Sequence, residues 1–234
     1  QGEQPDRIVL THPANWGPYK RDLLRDAVRV ADLDNVSFIT EPEAAAIHYA
    51  LRERIDAGEV VAVYDFGGGT FDAAVLRRTG DGSFVTLGQP EGMERLGGID
   101  FDEAVFQHVS DYAGGAVDDV DASDPSALAS LARLREDSRA AKEALSSDTE
   151  ASVPVMLPNV RTEVRLTRSE FEDMVRPRIA ETITTLMRAI RSAGLGTEEI
   201  ARVLLVGGSS RIPLVHQMVR DATGRPVAVD AHPK

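Results

Sequence analysis

The sequence of 234 residues contains no cysteine, which excludes a disulfide-stabilised scaffold and any metal site built on thiolates. This absence is compatible with a reducing cytoplasm, and we expect a cytoplasmic protein. Lysine is scarce as well, because only Lys20, Lys142 and Lys234 occur and arginine supplies the other basic side chains. The formal net charge is −12 and no basic stretch is long enough to form a nucleic-acid-binding face, so nucleic acid is not an expected partner.

Long hydrophobic runs are also missing from the sequence. No stretch approaches the roughly 18 apolar residues that a membrane-spanning helix needs. The first residues, QGEQPDR, lack the basic and apolar regions of a signal peptide, so we expect no association with a membrane. The apolar content of 42% is nevertheless ordinary for a globular protein, and the length suits one large domain or two small ones.

Strand-like and helix-like segments alternate along the chain, and this alternation predicts an α/β fold. The predicted strands of the first half are RIVLTHP, VSFIT, VVAVYDF, TFDAAVLRRT and GSFVTLGQ. The second half has predicted helices within 100–114, 128–145 and 168–190, a pair of strands within 151–167, and a last strand, ARVLLVGG. The helix-cap signals are capping boxes at Thr40 with Glu43 and at Thr167 with Glu170, an N-cap at Ser209 or Ser210, and a C-cap at Gly224.

Apolar spacing predicts which sides of the two long helices are buried. The first buried side comprises Leu128, Leu131, Leu134, Ala141 and Leu145. The second comprises Phe171, Met174, Val175, Ile179, Ile183, Leu186 and Ile190.

The stretch YDFGGGTFD, residues 64–72, places three glycines between two predicted strands. Without Cβ atoms, glycines let consecutive backbone N–H groups approach a bound anion. The N–H groups in question belong to Gly67, Gly68, Gly69 and Thr70. Asp65 and Asp72 would repel a bare phosphate, and they fit this reading only if Mg²⁺ lies between the acids and the phosphate. A plain glycine hairpin with solvated acids at its base remains the alternative.

Three further features point to the same kind of ligand, each weakly by itself. VGGSSRIP, residues 206–213, follows a buried strand and is predicted to open a helix, where anions bind well. Glu41 is predicted in the first turn of a helix, at the end of a strand where ligands bind in α/β sheets. GGIDFD, residues 97–102, adds another glycine pair, Gly97 and Gly98, before a helix.

Taken together, the motifs closely resemble the DnaK-type seventy-kilodalton heat-shock chaperones. The motifs are THPANW, TEPEAAAIHYA, VYDFGGGTFD, RLGGIDFDEAV, AAKEALSS and VLLVGGSSRIPLV, and they run in register over nearly the whole chain. The resemblance implies an actin-like ATPase fold, mainly lobe II with part of lobe I, including a helical and β subdomain. The implied segments are part of lobe I at 1–58, the lobe II base at 59–100, its upper subdomain at 101–167, and a last helix with the adenine site at 168–234.

The resemblance also assigns roles to residues of an ATP- or ADP-binding site with Mg²⁺. The implied catalytic residues are Glu41, Asp65, Thr70 and Asp72, with Asp65 and Asp72 holding the metal through water. The implied nucleotide-binding residues are Gly67, Gly68, Gly69, Thr70, Gly97, Gly98, Arg139, Lys142, Glu143, Ser146, Gly207, Gly208, Ser209 and Arg211. Pro13 and Arg21 match residues that relay nucleotide state between domains in the family. The implied partners are co-chaperones, a nucleotide-exchange factor, and client peptides held by a domain outside this chain.

The sequence departs from the family pattern in two ways. Arg139 stands where the family usually has a glutamate that contacts the adenosine, and Glu143 stands where some members have an arginine stacked on adenine. The family's first phosphate loop, an aspartate–glycine–threonine turn, and its phosphate-contacting lysine do not occur in this sequence. We therefore expect a piece of a longer ATPase that is inactive alone. A nucleotide-sensing pseudo-ATPase scaffold is the alternative, and a small-molecule kinase of the same fold is a weaker one.

Overall fold

A computed structural model describes residues 5–117, 120–121, 123–158 and 160–229 of the chain. The strands and helices are β1 (Ile8–His12), α1 (Pro18–Val30), β2 (Val36–Thr40), α2 (Glu41–Ala50), β3 (Val60–Phe66), β4 (Phe71–Arg78), β5 (Phe84–Met93), α3 (Gly98–Tyr112), α4 (Pro125–Ala144), β6 (Glu150–Leu157), β7 (Val160–Thr167), α5 (Arg168–Ser192), β8 (Arg202–Val206), α6 (Pro213–Thr223) and β9 (Val227–Val229). Short 3₁₀ turns lie at Thr197–Glu199 and Gly208–Arg211. The predicted alternation of strands and helices is confirmed.

A five-stranded sheet in the order β5-β4-β3-β8-β9 forms the centre of the molecule. β3 runs antiparallel to β4 but parallel to β8, so the carboxyl ends of β3 and β8 meet at the same edge of the sheet. In this register Asp65 lies beside Asp72 on one neighbouring strand and beside Val206 on the other. The loops after β3 and β8 therefore start next to each other.

Strand β3 is buried on both faces, which explains its nearly continuous apolar sequence. Ala62, Tyr64 and Phe66 belong to the larger core, which α3, α4, α5 and α6 cover. Val61 and Val63 point to a smaller core on the opposite face, where α2 contributes Ala46.

One buried polar contact crosses the larger core. The hydroxyl of Tyr64 lies 2.5 Å from the hydroxyl oxygen of Thr182 on α5. Burial raises the pKa of Tyr64 above its ordinary value, so the phenol keeps its proton and is able to donate. This contact satisfies two polar groups that would otherwise be costly inside the core.

The second half of the chain extends the same core. α3 packs on α4, α4 packs on the antiparallel hairpin of β6 and β7, and α5 packs on β4 and β5. The predicted apolar side of α5 is confirmed, since its seven residues are buried or packed against the core. The prediction for α4 is wrong at Leu128, whose side chain is 45% exposed because it lies in the first turn, beyond the part of the helix that the core covers.

The first half contributes a small parallel pair, β1 and β2, and α2 contacts both this pair and the central sheet. No residue of α1 is buried. Thr40 and Glu43 form the expected capping box at the start of α2, and Thr167 and Glu170 form the second one. Gly224 ends α6 with the expected left-handed conformation, at a φ of +65°. The division of the chain into segments 1–58, 59–100, 101–167 and 168–234 remains a prediction.

Within the described ranges, no helix is long and apolar enough to cross a membrane.

Candidate functional site

The glycine stretch forms a short hairpin that is bound to the start of α3 through the backbone. Gly67 N–H donates to the carbonyl of Thr70 at 3.0 Å and closes the hairpin. The N–H groups of Gly98 and Ile99 then donate to the carbonyls of Gly67 and Gly68, at 3.1 and 2.8 Å. The predicted phosphate loop and the GGIDFD motif are therefore parts of one structure.

Two of the predicted nucleotide-binding glycines are required by close packing. A Cβ atom on Gly97 would lie 2.3 Å from the backbone nitrogen of Gly69, although its φ of −171° is open to any residue. Gly207 has a φ of +88°, and a Cβ there would lie 2.4 Å from the carbonyl oxygen of Phe66. Both glycines thus let other loops approach the hairpin.

The loop after β8 closes the hairpin from its other side. Ser209 donates its hydroxyl to the carbonyl of Gly67 at 2.8 Å, and Ser210 donates to the carbonyl of Val206 at 2.5 Å. The predicted N-cap at Ser209 or Ser210 is wrong: both serines lie in the 3₁₀ turn Gly208–Arg211, and α6 begins only at Pro213 with no side-chain cap. The physical reason is that these hydroxyls have backbone acceptors in the neighbouring loop and strand.

The structure brings the four predicted catalytic residues together at one side of the hairpin. Glu41, at the start of α2, shares a narrow cavity with Asp65 and Asp72. It also shares a wider cavity of about 410 Å³ with Thr70 and Asp72. Pro13 lines both of these cavities, so the loop after β1 forms part of the same site.

The donor set on this side suits a hard cation. Asp65 and Asp72 lie opposite each other on β3 and β4. Mg²⁺ prefers oxygen ligands and usually keeps several waters while one or two carboxylates hold it. The facing aspartates fit such a hydrated ion. In the part of the chain that the structure describes, no cluster of three or more His, Cys, Asp or Glu side chains forms a direct metal cage.

On the other side of the hairpin, a cavity of about 900 Å³ separates α3 and α4 from the loop after β8. Its size lies within the range of small-molecule sites. Nine of the predicted nucleotide-binding residues line it: Gly68, Gly98, Arg139, Lys142, Glu143, Ser146, Gly208, Ser209 and Arg211. Five other predicted residues do not line this cavity: Gly67, Gly69, Thr70, Gly97 and Gly207. Arg21 lies exposed on α1 and lines none of the three cavities. The roles of these residues remain predictions.

Lys142 is the most buried charged side chain of the large cavity. Its side chain is 12% exposed, and its Nζ lies 2.5 Å from Oδ1 of Asp102 on α3. The same ammonium donates to the carbonyl of Gly98 at 3.3 Å. Lys142 is thus held at the junction of α3, α4 and the glycine hairpin.

Arg139 and Glu143, the two residues that depart from the family pattern, bind each other. Arg139 donates from Nε to Glu143 at 3.1 Å, one turn further along α4, at the exposed rim of the large cavity. The hydrogen bond to Glu143, and then the charge of that carboxylate, raise the pKa of Arg139 above its ordinary value. The two unusual charges therefore occur as a neutral pair.

Sequence reasoning missed two residues of the site. Asp102 was within reach, because it follows Gly98 by one helical turn and so lies on the same face of α3. Asn15 donates from its amide to Oδ1 of Asp72 at 3.0 Å. Asn15 belongs to the motif THPANW, but nothing local assigns it a role, since it lies in a loop and its partner is 57 residues away.

A glycine hairpin that separates a carboxylate cluster from a deep cavity, at the edge of a parallel strand pair, defines a nucleotide-binding α/β domain. The family model described as Hsp70 protein matches residues 1–233, and the chain belongs to the Hsp70 family. The fold is accordingly the actin-like ATPase fold, and the chain is a nucleotide-binding domain of a chaperone family. The family generally binds ATP or ADP with Mg²⁺.

Proposed function

We propose that this chain binds ATP and, within a longer DnaK-type chaperone of the cytoplasm, hydrolyses it. The observation that carries the proposal is the meeting of Glu41, Asp65 and Asp72 in one cavity beside the glycine hairpin. Carboxylates repel phosphate, so their position beside a phosphate-binding loop is explained if they hold a cation and a water molecule there.

The large cavity would hold the nucleoside. The backbone of Gly68 and Gly98 borders it, and an added Cβ on Gly68 would meet no atom within 4 Å, so a phosphate has room to approach the hairpin. Lys142 places an ammonium group, paired with Asp102, at the inner end of this cavity. Gly208 and Arg211 form the opposite wall, where a guanidinium is able to stack on a base.

Hydrolysis transfers the terminal phosphoryl group of ATP to water: the water oxygen bonds to phosphorus, and the bond to the bridging oxygen breaks. Glu41 would orient this water and accept its proton. Asp65 and Asp72 would hold hydrated Mg²⁺, which when bound neutralises phosphate charge. The N–H groups of Gly68, Gly69 and Thr70 would stabilise the charge on the transferred group, as phosphoryl transfer requires. The N–H of Gly67, also predicted to face the anion, instead donates to the carbonyl of Thr70.

The proposal includes partners outside this chain. The sequence contains no aspartate–glycine–threonine turn. The second phosphate-binding loop, opposite the glycine hairpin, would therefore come from a further segment of the protein. Co-chaperones, a nucleotide-exchange factor and client peptides would act on that longer protein.

A pseudo-ATPase scaffold is the second candidate, because Arg139 and Glu143 differ from the family pattern at the nucleoside cavity. Their mutual ion pair weakens this candidate, since each of the two unusual charges offsets the other. Nucleotide binding without measurable single-turnover hydrolysis in the full-length protein would favour the scaffold.

Removing either facing aspartate tests the proposed metal site. We expect Asp65→Asn and Asp72→Asn to weaken the Mg²⁺ dependence of nucleotide binding, because each variant loses one charged ligand of the hydrated ion. Calorimetric titration of ADP with and without Mg²⁺ measures this dependence. Asp221→Asn, an exposed acid on α6, is the matched control. A wild-type Mg²⁺ response in both site variants would leave these acids as solvated flanks of a hairpin.

A charge-reversal cycle tests whether Arg139 and Glu143 act as a pair. We expect Arg139→Glu alone to weaken ADP binding by about two- to fivefold, since it places two carboxylates at the rim of an anion site. Adding Glu143→Arg should restore most of the affinity. The same reversal of exposed Arg133 and half-buried Asp137, a pair on the same helix that does not line the cavity, should leave ADP binding unchanged. If the double variant binds no better than the single one, the two residues act independently.

A further inference from the structure

The side chain of Asn15, in the loop after β1, contacts the proposed metal site. Its Nδ2 lies 3.0 Å from Oδ1 of Asp72. An ionised carboxylate only accepts hydrogen bonds, so the amide nitrogen is the atom that faces it. Asn15 therefore restrains the aspartate from outside the central sheet without adding charge to a site that already contains Glu41 and Asp65.

The neighbouring strand leaves space for this hydrogen bond. Gly92 on β5 lies opposite Asp72 in the sheet. A Cβ atom there would lie 2.6 Å from Oδ1 of Asp72, 2.9 Å from Nδ2 of Asn15 and 3.1 Å from the carbonyl oxygen of Phe71. The φ of Gly92 is outside the left-handed region, so this position needs a glycine for space and not for conformation. Two separate parts of the chain are thus adapted to the same contact.

The residue after Asn15 is the only tryptophan of the chain. Trp16 lines the same cavity as Asn15, Glu41 and Asp72. Its ring stacks on His12 with centroids 6.0 Å apart. Its backbone N–H donates to the carbonyl of Pro13 at 3.2 Å. A shift of the loop would therefore change the surroundings of the indole.

We propose that Asn15 is a positioning residue that orients Asp72 for the metal and links occupancy of the metal site to the loop carrying Trp16. This inference rests on the proposed function, because it assumes that Asp72 takes part in holding Mg²⁺. Because Asn15 donates to Oδ1, it would hold the carboxylate of Asp72 in one orientation beside the cavity. Partners of this kind typically change metal affinity or activity by about 10- to 100-fold when they are lost.

The test uses three substitutions of Asn15 in the full-length protein, with ADP and Mg²⁺ as probes. Asn15→Ala removes the donor, Asn15→Leu removes it at similar size, and Asn15→Gln keeps an amide donor. We expect the alanine and leucine variants to need about tenfold more Mg²⁺ for half-maximal effect on ADP binding. ADP binding without Mg²⁺ and the thermal midpoint should stay unchanged, and the glutamine variant should recover most of the Mg²⁺ response.

Tryptophan fluorescence provides a readout that does not depend on turnover. In the wild type, the part of the emission that a Trp16→Phe variant lacks should change when Mg²⁺ is added with ADP, relative to ADP with a chelator. This difference should be lost in Asn15→Ala and Asn15→Leu and kept in Asn15→Gln. Gly92→Ala should reproduce the loss by crowding the same contact. Gly80→Ala, where an added Cβ meets no atom within 4 Å, is its matched control.

The outcomes separate this inference from the proposed function. If Asp72→Asn weakens the Mg²⁺ response while Asn15→Ala and Asn15→Leu keep it, Asn15 has no positioning role and the proposed function stands. If Asp72→Asn itself keeps the wild-type response, the proposed metal site is wrong and the inference fails with it. If Gly92→Ala does not fold, the Asn15 variants decide alone.

Discussion

Glu41→Gln in the full-length protein is expected to lower single-turnover ATP hydrolysis by about 100-fold or more, with little change in ATP affinity. The substitution keeps the size of the side chain and removes the group that would orient the water and accept its proton. Glu41 lines both cavities of the carboxylate cluster and does not line the large cavity, so its loss should act on the chemical step. Quenched-flow measurement of product formed in one turnover, beside calorimetric ATP binding, gives the two quantities.

Glu43 provides the control for this experiment because it lies in the same first turn of α2 but caps the helix. Its carboxylate accepts from the backbone N–H of Thr40 at 2.9 Å and completes the capping box. Glu43→Ala should therefore lower the thermal midpoint and leave the rate of the single turnover near that of the wild type. A Glu41→Gln variant with a wild-type rate would remove Glu41 from the mechanism.

Gly97→Ala is expected to abolish nucleotide binding and to lower the free energy of unfolding by roughly 1–3 kcal/mol. The added methyl group would enter the backbone of the glycine hairpin, 2.3 Å from the nitrogen of Gly69 and 2.4 Å from the carbonyl carbon of Gly68. The atoms of the Gly68–Gly69 peptide group cannot turn away as a side chain would. The hairpin must separate from α3, which breaks the hydrogen bonds donated by Gly98 and Ile99.

Gly68→Ala is the matched comparison within the same hairpin. A Cβ at this position meets no atom within 4 Å, and the residue borders the large cavity. We expect the free energy of unfolding to change by no more than about 0.5 kcal/mol, while ADP binding weakens because the methyl group enters the ligand space. Denaturant unfolding and calorimetry measure the two effects. Equal stability of Gly97→Ala and Gly68→Ala would contradict the packing role of Gly97.

The features that the sequence predicted well are local ones. The apolar run before the glycines predicted a strand, and the run is β3 at the centre of the sheet, where it is buried on both faces. Threonine followed three residues later by glutamate predicted two helix starts, and both capping boxes form. Such signals depend on residues that are close together in the sequence, so they can be recognised from the sequence directly.

The features that it did not predict depend on distant partners. Ser209 has the sequence context of a helix cap, yet its hydroxyl donates to Gly67 because the parallel pairing of β3 and β8 brings that carbonyl near. The pairing of Lys142 with Asp102 requires α3 and α4 to be packed first. Asn15 meets Asp72 only when the loop after β1 lies over β4.

The pairing of β3 with β8 has a consequence for synthesis of the protein on the ribosome. Ser209 follows Gly67 by 142 residues, so the hairpin emerges long before the loop that closes it. Contacts of such long sequence separation form slowly, because a large loop must be ordered before they stabilise anything. Until Arg202–Val206 has emerged, the β3 edge of the growing sheet is unpaired, and unpaired edges promote aggregation during folding. This chaperone domain should therefore itself need protection as a nascent chain, and its nucleotide cleft should be the last part of the domain to form.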